Sequence, residues 1–428
     1  MSNSGIKIEV HLIQNFAPSN LNRDDTGQPK SSYFGGFRRA RISSQCGKRA
    51  TRQWWREHST IIVGDRTKRL QRLIADRLDQ DRDFKKKILD EEDLKTGIRV
   101  FTDAYYAAAD GKEPQKTTVL TFIGPDEVNV CAKVVKEIWD DQGSIEGIAP
   151  IVKKVRDFDA KKASKKKTSA DSGAKKKGGA ALKKAKEIEQ RLKAAKLSAD
   201  IALFGRMLAE QPGRNTDGAC QVAHPISTHK VNMEMDFYTA VDDLNPDEET
   251  GAGMMGVVGF NSACFYRYAL VDRDQLARNL ARKTGRKSGE WIETLDAKDY
   301  EETDSVIKAF LEAMVYAIPT GKQNSFAAQN LPSFGLFVRR QGGVPVSLAN
   351  AFAKPVRTTR DDDDLVGLSI TALTKHWDAQ EKVYGKQGVE KTACFHLGKY
   401  DRLNGLKSSD KGSVENAIND IMEATARQ

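Results

Sequence analysis

Residues 15–50 read NFAPSNLNRDDTGQPKSSYFGGFRRARISSQCGKRA. This stretch joins a polar turn, residues 22–25, to the glycine pair Gly35–Gly36 and to a basic helix start at residues 43–49. Paired glycines remove side-chain bulk, while serine hydroxyls and backbone amides at a helix start donate hydrogen bonds at the positive end of the helix dipole. Together with the nearby lysines and arginines, the pattern indicates a grip on a nucleic-acid backbone.

The chain has the strand and helix order of an α+β fold. Apolar residues from Ile6 to Leu12 alternate with polar ones, which predicts a half-buried first strand. Alternation returns at residues 257–268 and 334–338, and an amphipathic helix carrying Val306 and Phe310 lies between them. With a helix after the first strand, this order is typical of a ferredoxin-like, RRM-type βαββαβ domain.

Apolar residues at helical spacing predict further helices. These are expected at residues 68–79, 126–140, 368–377 and 414–422. A largely helical region, roughly residues 60–215, is therefore expected as an insertion after the first strand and helix.

The net charge of +10 comes from one segment. Residues 161–186 contain eleven of the 69 basic residues and one of the 59 acidic residues, so the rest of the chain has 58 of each. The surrounding tract, residues 159–186, has almost no large apolar residues, and we expect a disordered, solvated insert. Auxiliary, nonspecific contact with nucleic acid is the alternative for this tract.

Several functional classes lack their sequence signatures. No apolar run approaches the roughly 20 residues that span a bilayer, so a cytosolic protein is expected. The five cysteines are scattered along the sequence, which favours reduced thiols over disulfide bonds.

His224 and His229 have a spacing that fits one face of neither a helix nor a strand, so no metal site is expected. No cofactor is expected either, because the Gly-Lys pair at Gly321 lacks the spacing of an NTP-binding loop.

The opening stretch and four later blocks resemble, in the same order, the CasC-family backbone subunit of type I-E CRISPR Cascade, a member of the RAMP superfamily. The four blocks are DIALFGRML (residues 200–208), AHPISTHKVNMEMDFYTAVDDL (223–244), IPTGKQNSFAAQNLPSF (318–334) and PVSLANAFAKPV (345–356). The resemblance covers the N-terminal part and much of the second half of the chain.

This resemblance implies an RRM-like palm, an inserted helical finger domain and a β-hairpin thumb. Residues 1–60 would form the first part of the palm and residues 61–215 the finger domain. Residues 224–256 would form the thumb, and residues 257–428 the second part of the palm with C-terminal helices.

The resemblance also implies a function in antiviral and anti-plasmid defence. Copies of the chain would line up head to tail along the spacer of a CRISPR RNA and present its bases for pairing with target DNA. Other Cascade subunits would cap the filament, and a recruited helicase-nuclease would cut the DNA. The chain itself would bind without being an enzyme, since its sequence contains none of the common nucleophile, metalloprotease or NTPase motifs.

The residues expected to contact RNA are donors and cations in the matching blocks: Lys30, Ser43, Gln45, Lys48, Arg49, Arg206, Gly321, Lys322 and Gln323. For Arg206 a structural salt bridge is an equally weighted alternative, and for the serines a simple helix cap. The residues expected to form the thumb and its contact with an adjacent subunit are Thr228, His229, Lys230, Met233, Phe237, Met254 and Met255.

Two other functions remain open at this point. Asp24 and Asp25 could act with a metal to cleave target RNA, although a folded turn in which Arg23 pairs with an aspartate or meets a neighbouring subunit is favoured. Alternatively, the chain could be a generic nucleic-acid-binding protein that acts through its lysine tract.

Overall fold

A computed structural model describes residues 5–85, 91–142, 179–208, 211–240, 254–360, 363–398 and 403–423. Within them lie the strands β1 (Ile6–Ser19), β2 (Ser31–Phe34), β3 (Phe37–Ala40), β4 (Asp65–Thr67), β5 (Thr121–Ile123), β6 (Cys220–Val222), β7 (Ile226–Ser227), β8 (Glu234–Ala240), β9 (Met254–Asp272), β10 (Arg286–Lys287), β11 (Glu290–Trp291), β12 (Phe334–Gln341) and β13 (Val389–His396).

The helices of the described residues are α1 (Ser44–His58), α2 (Leu70–Asp79), α3 (Arg82–Lys85), α4 (Glu91–Tyr105), α5 (Pro125–Gln142), α6 (Gly179–Ala194), α7 (Ala199–Phe204), α8 (Arg273–Leu280), α9 (Ala297–Tyr316), α10 (Gln323–Phe326), α11 (Leu365–Tyr384) and α12 (Val414–Glu423). Short 3₁₀ helices lie at Pro212–Arg214, Ala349–Phe352 and Asn404–Ser409. In this part of the chain, no helix is both long and apolar enough to cross a membrane.

The chain forms two compact units. The first comprises Met1–Ile61, Cys220–Leu276 and Tyr300–Gln428, and the second comprises Ile62–Ala219 and Ala277–Asp299.

The first unit is built on an antiparallel sheet with the order β13-β12-β1-β9-β6. The strands β7 and β8 also pair with β9. The predicted strands lie within β1, β9 and β12, and the helix predicted around Val306 is α9. An α+β fold with an antiparallel sheet is therefore confirmed, as are the predicted helices α2, α5, α11 and α12.

The prediction of a half-buried first strand is wrong, because both faces of β1 are covered. Glu9 and His11, on its polar face, are completely buried. Glu9 accepts hydrogen bonds from Arg340 Nε at 2.9 Å and from the backbone N–H of Val346 at 2.6 Å. His11 Nδ1 lies 2.9 Å from the hydroxyl of Tyr266. These hydrogen bonds offset part of the cost of burying Glu9 and His11.

A segment that follows β12, residues 346–353, supplies part of this cover, and we call it the covering segment. Tyr266, whose hydroxyl contacts His11, also accepts a hydrogen bond from the backbone N–H of Leu348 at 2.9 Å. Leu348 and Phe352 are buried in the same apolar cluster as Ile13. The segment is thus attached to the sheet by both polar and apolar contacts.

The second unit has a helical core. Apolar residues of α2, α4, α5 and α6 form one buried cluster, which includes Ile74, Phe101, Val135 and Leu192. Helices whose apolar residues recur at helical spacing bury one stripe in this way.

The lysine-rich tract needs one correction. Residues 179–186 are not disordered, since they form the first half of α6, where Ala185 is buried and Lys184 Nζ lies 2.6 Å from Asp141 Oδ2. The apolar residues Ile188 and Leu192 further along the helix pack in the core and stabilise it. The remainder of the tract, residues 159–178, lies outside the described residues.

The strands β2 and β3 form a hairpin that we call the ribbon. Its two-residue turn is Gly35–Gly36, with φ angles of +59° and +83°, as a type I′ turn requires. A Cβ at Gly35 would lie 1.9 Å from the carbonyl oxygen of Ala353, whereas a Cβ at Gly36 would meet nothing within 4 Å. The glycine pair therefore serves the turn and its packing on the covering segment.

Two alanine substitutions separate these effects. Gly36→Ala should lower the free energy of unfolding by about 1 kcal/mol, because an L-residue is strained at positive φ. Gly35→Ala should lower it by roughly 3 kcal/mol, because it adds a clash with backbone to the same strain. Urea denaturation of both variants measures the difference, and equal losses would contradict the packing of Gly35 on Ala353.

Candidate nucleic-acid interface

The basic helix start is built as an N-capped helix. Ser43 is the N-cap of α1, and its Oγ accepts a hydrogen bond from the backbone N–H of Cys46 at 3.2 Å. The backbone N–H of Ser43 in turn donates to Asn22 Oδ1 at 2.8 Å, which ties the helix to the polar turn. The first turn of α1 contains no acidic residue, so the positive end of its dipole is not neutralised from within the helix.

Four basic residues lie around this helix start, and we call Lys30, Arg41, Lys48 and Arg49 the basic surface. Lys30 and Arg41 line one small pocket together with Asn22, and Arg49 lines a second pocket that also includes Asn22 and Cys46. Backbone bonds fix Lys30, which donates to Asn22 O and accepts from the N–H of Arg41, each at 2.9 Å. Gln45 and Arg49 are exposed, while Lys48 is half-buried.

Arg41 and His224 form a contact that the sequence did not predict. Arg41 Nη1 lies 2.8 Å from His224 Nδ1, and His224 Nε2 lies 3.5 Å from Ser44 Oγ. Burial lowers the pKa of His224, and the charges of Arg41 and Lys30 lower it further. An arginine can only donate, so Nδ1 of a neutral His224 accepts. Arg41 lies in the opening stretch, but its partner is far away in sequence and no local pattern identifies it.

The polar turn is closed by Asp24. Its Oδ1 accepts from Thr26 Oγ1 at 2.7 Å and from the backbone N–H groups of Thr26 and Gln28 at 2.9 and 3.0 Å. The hydrogen bond from Thr26 is the main cause of a lowered Asp24 pKa. A folded turn was the favoured interpretation, but within the described residues Asp24 bonds to Thr26 and Gln28 and not to Arg23.

The loop at residues 319–323 lies against this turn. Gly321 approaches so closely that a Cβ would lie 2.3 Å from the carbonyl oxygen of Leu21. Lys322 adopts a left-handed conformation, and Gln323 Nε2 donates to Pro319 O at 3.0 Å and to Ala328 O at 3.1 Å. Thus Gln323 holds the loop together.

The loop and the helix start share an open pocket of about 360 Å³. It is lined by residues 21–24, by Cys46, Arg49, Ala50 and Gln53 of α1, and by residues 319–321. The structure therefore brings together three predicted elements that are distant in sequence: the polar turn, the helix start and the glycine loop.

Arg206 is buried and paired, and the prediction that it contacts RNA needs correction. It belongs to the second unit, where its side chain is buried and its Nη1 lies 2.7 Å from Glu127 Oε1. It also donates to the carbonyl oxygens of Phe122 and Arg214, each at 3.1 Å. The structure thus agrees with the alternative, in which Arg206 forms a structural salt bridge.

The strand β8 pairs with residues 254–260 of β9, and we call this two-stranded element the hairpin arm. The residues of one face are Met235, Phe237, Thr239, Met255, Val257 and Gly259, since residues directly opposite each other point to the same side. Phe237 is 62% exposed and Met255 is 65% exposed. Exposed apolar side chains grouped on one face are typical of a surface that contacts another molecule. Met254, on the other face, is also exposed.

Four of the residues assigned to the thumb lie before the arm, and two need correction. Thr228 is buried, and its Oγ1 lies 2.9 Å from Ser369 Oγ, so it cannot contact an adjacent subunit. His229 is half-buried, and both of its ring nitrogens are occupied within the chain. Its Nε2 accepts from the backbone N–H of Cys264 at 3.2 Å, and its Nδ1 donates to Lys230 O at 2.9 Å. Lys230 is exposed, and Met233 is half-buried beside Asn261.

The described ranges contain no group of three or more His, Cys, Asp or Glu side chains that could hold a metal ion. His224 and His229 have the separate partners given above.

Comparisons with known proteins agree with this architecture. A family model described as CT1975-like protein matches residues 8–424. A chain in a solved structure titled "CRISPR RNA-guided surveillance complex, pre-nicking" is 27% identical, with a TM-score of 0.71 over 98% of this chain and 99% of that chain. A second, in a "CRISPR RNA-guided surveillance complex", is 23% identical, with a TM-score of 0.63 over the same shares. No curated protein matches the sequence.

The contact between Arg41 and His224 can be tested by titration. Removing the cation in Arg41→Gln should raise the pKa of His224 part of the way back to its usual 6.5, because burial still lowers it. The wild-type residue should titrate below the usual 6.5. NMR titration of the His224 ring measures both values, with Arg38→Gln as a control of equal charge change. An unchanged pKa in Arg41→Gln would contradict the contact.

Proposed function

Since the chain belongs to the CT1975-like protein family, we propose that it is a CRISPR RNA-binding backbone subunit of a type I-E Cascade surveillance complex. The observation that carries this proposal is the convergence of Lys30, Arg41, Lys48 and Arg49 around the start of α1. A chain 27% identical over almost its full length belongs to a complex described as RNA-guided. The ligand that best fits clustered cations at a helix N-terminus is a phosphate backbone.

We propose that the first unit is an RRM-like palm. In a ferredoxin-like sheet the strands lie in the order 4-1-3-2, and here β12, β1, β9 and β6 are neighbours in that order, with α1 after β1 and α9 after β9. The helical second unit would be the finger domain, and the hairpin arm would be the thumb. The contents of the two units and the exposed apolar face of the arm support these assignments.

In this proposal several copies of the chain assemble head to tail along the guide RNA. The hairpin arm of one copy contacts the next, which explains why apolar side chains such as Phe237 and Met255 are exposed in the single chain. Target DNA is recognised through base pairing with the guide, so the protein needs to read only backbone and shape. Other Cascade subunits complete the complex, and a separate helicase-nuclease cuts the target.

We propose that the chain binds RNA without cleaving it. The acidic turn supports this, because three hydrogen bonds already occupy Asp24 Oδ1 and give it a structural role in closing the turn. The lysine tract is proposed to be dispensable for the grip, since the basic surface lies outside it.

Binding to a spacer-length single-stranded RNA tests the site. Lys48→Ala/Arg49→Ala should weaken binding at least about 100-fold, because two charge-assisted contacts are lost and each contributes roughly 1.5–3 kcal/mol. The slope of log K against log salt should become shallower by about 1.4, since two phosphate contacts are lost. Fluorescence anisotropy at several salt concentrations measures both quantities.

Two controls accompany this experiment. Lys375→Ala/Lys382→Ala removes the same charge from exposed positions of α11 and should leave binding nearly unchanged. A deletion of residues 159–177, which leaves α6 intact, should also bind. If that deletion alone abolished binding while the Lys48/Arg49 variant bound normally, the lysine tract would be the RNA site and the proposal would fail.

The role of Asp24 yields a separate prediction. Asp24→Asn should lower the free energy of unfolding slightly, because a neutral amide accepts the turn's hydrogen bonds less strongly than a carboxylate. Neither wild type nor Asp24→Asn should cleave RNA complementary to a bound guide in the presence of Mg²⁺ or Mn²⁺. Cleavage by the wild type that the substitution abolished would establish the ribonuclease alternative.

A further inference from the structure

The ribbon has two different faces. The cross-strand pairs Ser32↔Arg39 and Phe34↔Phe37 point to one side, and the pairs Ser31↔Ala40 and Tyr33↔Arg38 point to the other. We call these the inner and the outer face of the ribbon. Ala40, at the base of the outer face, is buried, so this face is exposed at its Tyr33↔Arg38 end.

The inner face is fixed to the body of the first unit. Arg39 is fully buried, and its Nη1 donates to Ser227 O and Thr228 O, each at 3.0 Å. Its Nη2 donates to Phe352 O at 2.7 Å and to Ala353 O at 3.3 Å. Gly35 packs on the same Ala353 carbonyl. The outer face therefore lies on a rigid support, so that binding a ligand there costs little entropy for ordering the ribbon.

The outer face carries an exposed aromatic ring opposite an arginine. Tyr33 is 79% exposed, more than any other tyrosine among the exposed large apolar residues of the described chain. Its cross-strand partner Arg38 is exposed and donates from Nε to Ser31 Oγ at 3.2 Å. That bond orients the guanidinium and involves only Nε, so the two Nη groups can donate elsewhere.

The ribbon begins and ends at the basic surface. Lys30 precedes β2 and Arg41 follows β3, and residues 30–42 contain no acidic residue. An aromatic ring and a fork of donors beside clustered cations are complementary to a strand that carries both phosphates and unpaired bases. A peptide with acidic and aromatic side chains would match the charge but would have no reason to continue onto the start of α1.

We propose that Tyr33 stacks on a nucleobase of the bound single strand and that Arg38 bonds to an adjacent phosphate. This assignment rests on the proposed RNA-binding function and extends the site from the start of α1 to the outer face of the ribbon. The stacking is independent of sequence, because every base has a π-face.

The experiment compares two ligands and three variants. The ligands are the shortest single-stranded RNA that the wild type binds and an oligomer of the same length with abasic sites. The variants are Tyr33→Leu, which removes the ring, Tyr33→Phe, which keeps it, and Tyr384→Leu, a control on α11 where the tyrosine is 66% exposed. Tyr33→Leu should weaken binding of the normal RNA at least about fivefold. Tyr33→Phe and Tyr384→Leu should bind it like the wild type.

The abasic oligomer shows whether weaker binding by Tyr33→Leu results from the loss of base stacking. Wild type and Tyr33→Leu should bind it equally, because it offers no base to stack. The stacking assignment would be overturned if Tyr33→Leu weakened the binding of both ligands equally, or of neither. In that case a loss of binding in Lys48→Ala/Arg49→Ala would still support the RNA site. If the wild type bound neither ligand, the proposed function itself would fail, and the stacking assignment with it.

Discussion

The buried guanidinium of Arg39 holds together segments that lie far apart in the sequence. It bonds to the carbonyl oxygens of Ser227, Thr228, Phe352 and Ala353, and so joins the ribbon to β7 and to the covering segment. Burying a cation is costly, and four charge-assisted bonds offset much of that cost. Because the ribbon leads directly into α1, this one side chain fixes where the basic surface lies.

The central strand β1 and its neighbour β9 hold the covering segment in place. Glu9 holds the covering segment through the backbone N–H of Val346, and Tyr266 holds it through that of Leu348. The other end of the segment bonds to Arg39 and packs on Gly35. The sheet thus positions the covering segment, the segment positions the ribbon, and the ribbon positions Lys30 and Arg41. A defect in the buried polar network should therefore disturb a surface site that it does not touch.

Sequence reasoning succeeded where the physical cause is local. The helices α2, α5 and α9 follow from apolar spacing, and a serine cap follows from the Ser43–Ser44 pair before a helix, of which Ser43 is the N-cap. It failed where the partner is distant. Alternation in β1 predicts a solvated polar face, but Glu9 on that face is buried. Its partner Val346 lies 337 residues further along the chain, so no local pattern reveals the contact. For the same reason the sequence assigns Thr228 to a surface and leaves Arg206 between an RNA contact and a salt bridge, because their burial depends on Ser369 and Glu127.

By itself, the sequence determined the order of the main strands and helices and the concentration of donors between Lys30 and Arg49, because propensity and capping act over a few residues. Only the tertiary structure decided which arginines of that stretch are available to a ligand. Arg38 and Arg39 are adjacent, yet one is exposed and the other is buried, since neighbouring residues on a strand point to opposite faces and only long-range packing determines which face is covered.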